Sequence, residues 1–224
     1  MNRRLTTLEQ QLHHSFNDSG LLEQALTHRS VGRINNERLE FLGDSLLNMV
    51  IAEATYQLHP ELEEGDLSRM RASLVNQEAL AEIARDLQLG DYLSLGPGEL
   101  KSGGYRRASI LADALEALLG AIHLDAGFEA ARNTVLQLFK RKLENPVSPE
   151  RLKDAKTRLQ EWLQERNLEL PKYCVESVSG EPHKQVFTVS CLVQEPGVST
   201  VGHASSRRAA EQEAARHALE KLES

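Results

Sequence analysis

Two stretches of this chain are apolar on nearly every side of a helix, and both carry carboxylates. The first opens ERLEFLGDS at Glu37 and runs through LLNMVIA to Ala52. On a wheel advancing about 100° per residue, Glu40 and Asp44 fall within about 60° of Glu37, so the three share one stripe. Leu39, Leu42, Leu46, Met49 and Val50 take the opposite side. An acidic edge alone is what a solvated amphipathic helix shows. From Leu46 to Ala52, however, only Asn48 is polar, and the acidic stripe runs into Leu47 and Ile51. A helix this apolar is covered by protein on most sides, so its acidic end is expected to face a cleft. Gly43, a poor helix former inside that end, implies the close approach of another group.

The second stretch is SILADALEALLGAIHL, Ser109 to Leu124. Asp113 and Glu116 are its acidic residues, three apart and therefore neighbours on one face. Leu111, Leu115, Leu118, Leu119 and Ile122 form the bulky opposite face, while Ala117 and Gly120 leave the acidic side open to close packing. Carboxylates in such a setting are buried and protonated, paired with arginine, or gathered round a cation. Crowded carboxylates repel and some pKa values rise, which a divalent ion relieves. All-oxygen ligation suits Mg²⁺, with Mn²⁺ as a substitute. Zinc is not suggested, because Cys174 and Cys191 lie in the other half of the chain. A third acidic run, ELEEGDLSRMRASLVNQ, reads as a helix start capped by Asp66 or Ser68, and nothing in its pattern singles out Glu64.

Clustered carboxylates with Mg²⁺ serve phosphoryl-ester chemistry. The chain has no P-loop, no Rossmann glycine pattern and no G-x-S-x-G elbow, so no small-molecule cofactor is expected.

ENPVSPE, Glu144 to Glu150, interrupts the helical pattern with two prolines and sets a linker at 145–150. Residues 1–144 read as mainly α. Residues 151–224 read as α+β: a helix AKTRLQEWLQERN, strands KYCVESVSG, QVFTVSCLVQ and VSTVGHAS, and a last helix SRRAAEQEAARHALEKL. Phe187, Val189, Cys191 and Val193 alternate as a strand's core face does. Residues 151–224 hold 11 basic and 11 acidic side chains, so all of the formal net charge of -7 lies in residues 1–150. Polyanion binding by either half must rest on local patterning. The two cysteines are expected to be reduced core thiols. The start lacks an apolar leader and no run reaches the length of a membrane span, which points to a soluble cytoplasmic protein with no membrane partner.

NERLEFLGDSLL resembles the signature of bacterial ribonuclease III. LEEGDLSRMRASLVN and ADALEALLGAI resemble that family's second and third acidic blocks, in order, and the α-β-β-β-α tail resembles its double-stranded RNA-binding domain. The resemblance implies a homodimeric, Mg²⁺-dependent endonuclease that cuts double-stranded RNA. It implies 5′-phosphate and 3′-hydroxyl ends with short 3′ overhangs, and processing of ribosomal RNA precursors and other structured transcripts. Glu40, Asp113 and Glu116 match metal ligands; Asp44 and Glu116 match catalytic positions; Glu37 and Glu64 match accessory acids lining the same cleft; Phe41 matches a residue that packs into a partner subunit. In the tail, Thr157, Gln160 and Glu161 share a helix face that would meet 2′-hydroxyls. His183 sits at the GEPHK tip, and Arg207 and Arg208 in the first turn of the last helix would meet phosphates. This domain family often has lysine where this chain has Glu211, so modest RNA affinity is expected. A non-catalytic RNA-binding regulator would have lost one of Glu40, Asp44, Asp113 or Glu116, and none is lost. A hydrolase of small phosphoesters leaves residues 151–224 unexplained.

Overall fold

The computed structural model describes residues 3–148, 153–181 and 183–223. Residues 149–150 of the expected linker, 151–152 after it and Pro182 in the GEPHK turn lie outside the described residues. Contacts divide the chain into two compact units, Met1–Pro149 and Glu150–Ser224.

The first unit is built round two helices, α3 (Glu37–Leu58) and α7 (Ala108–Ala126). The remaining α1 (Arg3–Leu12), α2 (Ser19–Ala25), α4 (Glu64–Leu74), α5 (Gln77–Asp86), α6 (Pro97–Lys101) and α8 (Phe128–Glu144) complete it. α7 is buried almost throughout, from Ile110 to Ile122, with Asp113 and Glu116 the half-buried exceptions. α5, with Leu80, Ala81, Ile83 and Ala84 buried, packs on it, and α8, with Ala131, Val135 and Phe139 buried, packs on both α7 and α3. Asp125 near the C-terminal end of α7 ties down the segment before α2. It accepts hydrogen bonds from the backbone N–H of Asn17 (3.0 Å) and Asp18 (2.8 Å) and stands 2.9 Å from His14 Nε2.

α3 and α7 meet at two glycines. A Cβ added to Gly43 would stand 1.8 Å from the carbonyl oxygen of Glu116, and one added to Gly120 would stand 2.3 Å from that of Leu39. The group whose approach Gly43 implies is therefore the backbone of α7 at Glu116. The same contact brings the carboxylate-bearing turns of both helices level with each other. Gly43→Ala cannot be absorbed by a rotamer change, because its neighbour is backbone. It should destabilise the unit by about 3 kcal/mol, the upper end for overpacking, as urea denaturation will measure. An unchanged midpoint would show that the helices part freely.

Two expectations about this unit need correction. Met49, expected on the covered side of α3, is 61% exposed, because no helix among the described residues covers it. α4 begins at Glu64 behind Glu63, which makes no side-chain cap, so neither Asp66 nor Ser68 is the cap. Asp66 instead pairs with Arg69 at 2.8 Å.

The second unit runs α9 (Ala155–Glu165), β1 (Lys172–Ser179), β2 (Val186–Val193), β3 (Val198–Ala204) and α10 (Arg207–Leu222). The strands form one antiparallel sheet in the order β1-β2-β3. Leu159 and Leu163 of α9, Cys191 and Val193 of β2, and Ala214, Ala218 and Leu219 of α10 make its core. Val189 is also fully buried, whereas Phe187, nearer the end of β2, is half-buried. Both thiols are free, but Cys174 is exposed: its side chain points off the open face of the sheet.

Candidate functional site

The glycine contact sets Glu40 on α3 against Asp113 and Glu116 on α7. One carboxylate oxygen from each of the three lies within 4.8 Å of the others. All three are half-buried, and none has a basic side chain bonded to it among the described ion pairs. Burial, then the charges of Asp44, Glu40 and Asp113, push the Glu116 carboxyl up to about 8. Burial, then the charge of Asp113, raises Glu40 as well. Asp113 is raised by burial, against the opposing charges of His28 and Arg29. Three carboxyls held this close without a countercharge in contact are a donor set for a hard cation, and oxygen donors of this kind fit Mg²⁺ or Mn²⁺.

Asp44 is exposed at the rim of this cluster, one turn from Glu40. Asn48, one turn further, donates from Nδ2 to Asp44 Oδ1 (2.9 Å) and to its carbonyl (3.0 Å), which steadies the carboxylate. Glu37 is exposed and is met by Arg29 Nη1 (3.4 Å) and Asn35 Nδ2 (3.3 Å).

A cleft of about 340 Å³ opens beside the cluster, with His28, Arg29, Glu37, Glu40, Glu99 and Asp113 among its walls. Sequence reasoning missed His28, Arg29, Glu99 and Arg107. The loop bearing His28 and Arg29 is held by contacts remote in sequence: the His28 N–H donates to the Ser94 carbonyl (3.0 Å), and the Gly96 N–H donates to Ser30 Oγ (2.8 Å). Arg107 at the start of α7 bridges to Glu99 at 3.0 Å. The one signal available was THRS, a polar turn between two apolar helices, and it says nothing about where that turn goes.

Glu64 is not part of the cluster within this chain. It lies in a separate pocket with Thr55, Tyr56, Leu67 and Arg71, near the far end of α3, and accepts from Ser68 Oγ at 3.0 Å. Phe41, 78% exposed, continues with Met49 and the 71%-exposed Tyr56 as an apolar stripe along α3.

In the second unit, Thr157, Gln160 and Glu161 lie along α9, whose cap Asp154 accepts from the Thr157 N–H at 2.9 Å. Lys153 bridges to Glu161 at 2.7 Å. His183 is exposed, 3.4 Å from Glu181. Arg207 and Arg208 open α10, where Ser206 Oγ caps by accepting from the Ala209 N–H (3.2 Å).

Residues 18–143 match the family model described as ribonuclease-III-like, and residues 155–222 match the double-stranded RNA binding motif. The chain is 59% identical over 217 residues to Ribonuclease 3 of Thiobacillus denitrificans, covering 96% of each chain. It is 54% identical over 222 residues to Ribonuclease 3 of Vibrio campbellii, covering 99% of each.

The chain belongs to the ribonuclease III family.

A solved nuclease domain of ribonuclease III from Campylobacter jejuni, 47% identical, superposes with a TM-score of 0.61 over 63% of this chain and 97% of that one. A second structure of that domain, described as flexible in a region involved in dimer formation, has 48% identity and a TM-score of 0.60. The chain is an endoribonuclease with a double-stranded RNA-binding domain. No described helix is long and apolar enough to cross a membrane.

Proposed function

We propose that the protein hydrolyses the phosphodiester backbone of RNA duplexes at the Glu40–Asp113–Glu116 cluster with Mg²⁺, for which Mn²⁺ can substitute. Its products are 5′-phosphate and 3′-hydroxyl ends with short 3′ overhangs. The single observation that carries this reading is the convergence of the three carboxylates within 4.8 Å. Glu40, Asp113 and Glu116 would hold the cation, which when bound would supply an activated water and stabilise the leaving oxygen. Asp44, steadied by Asn48 and left accessible at the rim, is the catalytic carboxylate, with Glu116 acting beside it. Glu37 supports the cleft wall.

The nuclease domain spans 1–144, the linker 145–150 and the RNA-binding domain 151–224. Thr157, Gln160, Glu161 and His183 meet minor grooves of the duplex, and Arg207 and Arg208 grip phosphates between them. The enzyme works as a homodimer in the cytoplasm, on ribosomal RNA precursors and other structured transcripts. Support for the dimer is the exposed Phe41–Met49–Tyr56 stripe. A two-fold pairing antiparallel along α3 makes residue i of one copy meet residue j of the other, and j meet i. Glu64, at the Tyr56 end, lies about 18 Å along α3 from the Asp44 level, counting 1.5 Å per residue. Such a pairing brings the Glu64 of a second copy toward the acidic end instead.

Incubating a long RNA duplex with the protein and Mg²⁺ should yield short duplexes bearing 5′-phosphates, from a species that sediments as a dimer. Duplex left intact across a range of salt, with Mn²⁺ as well as Mg²⁺, would refute the reading.

A further inference from the structure

Glu211 looks at first like a charge that weakens RNA binding, since it stands one turn past Arg207. Its surroundings contradict that. Glu211 is 8% exposed, and both of its oxygens are taken: Lys156 Nζ meets Oε2 at 2.6 Å and Arg207 Nε donates to Oε1 at 2.9 Å. Lys156 is itself stacked 4.5 Å above the Tyr173 ring, and its backbone N–H donates to Gln212 Oε1 at 3.1 Å. The Lys156 hydrogen bond, followed by that of Arg207, holds the Glu211 carboxyl below the usual carboxylate range against the opposing effect of burial. A carboxylate saturated in this way presents no free charge to an approaching phosphate.

Arg207 needs such a partner. A guanidinium in the first turn of a helix opposes the helix dipole, and an arginine four residues before a glutamate is the weaker order for a helical ion pair. An unheld arginine also loses up to about 2 kcal/mol of rotamer entropy on docking. Held through Nε by Glu211, the Arg207 side chain keeps 65% of its surface exposed.

We propose that Glu211 is a positioning residue for RNA binding: gripping Lys156 of α9 and Arg207 of α10 together, it presents the Arg207 guanidinium to a phosphate of the duplex. This rests on the reading of Arg207 as a phosphate contact, and the test separates the two. The full chain, in EDTA so that nothing is cut, is titrated against an RNA duplex of about 20 bp, long enough for one RNA-binding domain. Glu211→Ala raises the net charge by one, yet affinity should fall about five- to tenfold, with a salt dependence shallower by about one phosphate contact. Glu211→Gln, which keeps the shape and one acceptor, should fall between, and serves if the alanine variant does not fold. Arg207→Ala should weaken binding comparably, and adding Glu211→Ala to it should cost less than about twofold more, as expected of residues acting through one contact. Unchanged or tighter binding by both Glu211 variants, beside a weakened Arg207→Ala, overturns the proposal. So does an undiminished Glu211→Ala effect in the Arg207→Ala background, which would mean Glu211 acts only through the fold. If Arg207→Ala itself binds normally, the phosphate reading of Arg207 fails, and the proposal with it.

Discussion

Glu116→Gln will bind duplex RNA within about twofold of the unaltered chain and cut it about a thousandfold more slowly, or worse. The expected loss follows from where the side chain stands. Glu116 closes a triangle of oxygens with Glu40 and Asp113, and burial followed by the charges of Asp44, Glu40 and Asp113 pushes its carboxyl up to about 8. The amide keeps the volume and the crossing at Gly43, so α3 and α7 should stay in place, but it removes an anionic donor that a hard cation requires. Losing one group that stabilises developing charge costs about 10²–10³ in rate, and losing a ligand as well adds to that. Binding should survive because the residues assigned to the duplex lie in the other compact unit. Single-turnover cleavage beside a metal-free binding titration measures both quantities on one preparation. A variant that cuts within tenfold of the unaltered chain would remove Glu116 from the chemistry. A variant that also fails to bind would place it on the RNA path.

Much of this site was legible because helical period and carboxylate spacing are local properties. α3 begins at Glu37, where the acidic stripe begins, and α7 carries its two carboxylates on the face that Ala117 and Gly120 leave open. Gly43 could be read as a close approach, but the partner could not, since only the folded crossing shows that the approaching atom is the Glu116 carbonyl. The wheel was least informative about which apolar residues are covered. It ranks Met49 with Leu46, yet Met49 faces away from every described helix. A periodic pattern records that a side chain is apolar, not whether its own chain or another copy covers it. Cys174 misleads similarly, because the sheet packs its core against the helices on one face and β1 turns Cys174 to the other. His28 and Arg29 reach the cleft through a pairing of Thr27 with Ser94, a long-range contact with no periodic trace. Glu211 shows the same limit in charge: composition counts it as an acid against RNA, while its two cations, one of them from α9, account for both oxygens.

Titration of the cluster gives the second large effect. Without metal, the folded-state pKa of Glu116 stands at about 8, above its ordinary value of 4.5. At pH values below that ordinary value both folded and unfolded chains hold the proton, and the site costs nothing. As pH rises from there to about 8, the unfolded chain ionises while the folded one keeps its proton, so stability falls across that window and levels off above it. The fall should be roughly 2 kcal/mol, since Glu116 keeps some contact with solvent that screens its neighbours. Urea denaturation of the metal-free protein at pH 5, 6.5 and 8.5 reads it directly, and Glu116→Gln should abolish most of the slope. Metal binding follows the opposite course. Holding a cation requires the Glu116 proton to leave, so apparent Mg²⁺ affinity should climb by as much as about tenfold per pH unit through the same window, then flatten near pH 8. Calorimetric titration with Mg²⁺ and Mn²⁺ in buffers of different ionisation enthalpy would count the released proton. An affinity that does not change between pH 6 and 8, with no proton released, would mean that Glu116 is already ionised before metal arrives. The crowding of Glu40, Asp44 and Asp113 would then be relieved by some other countercharge, for which His28 and Arg29 in the cleft wall are the candidates.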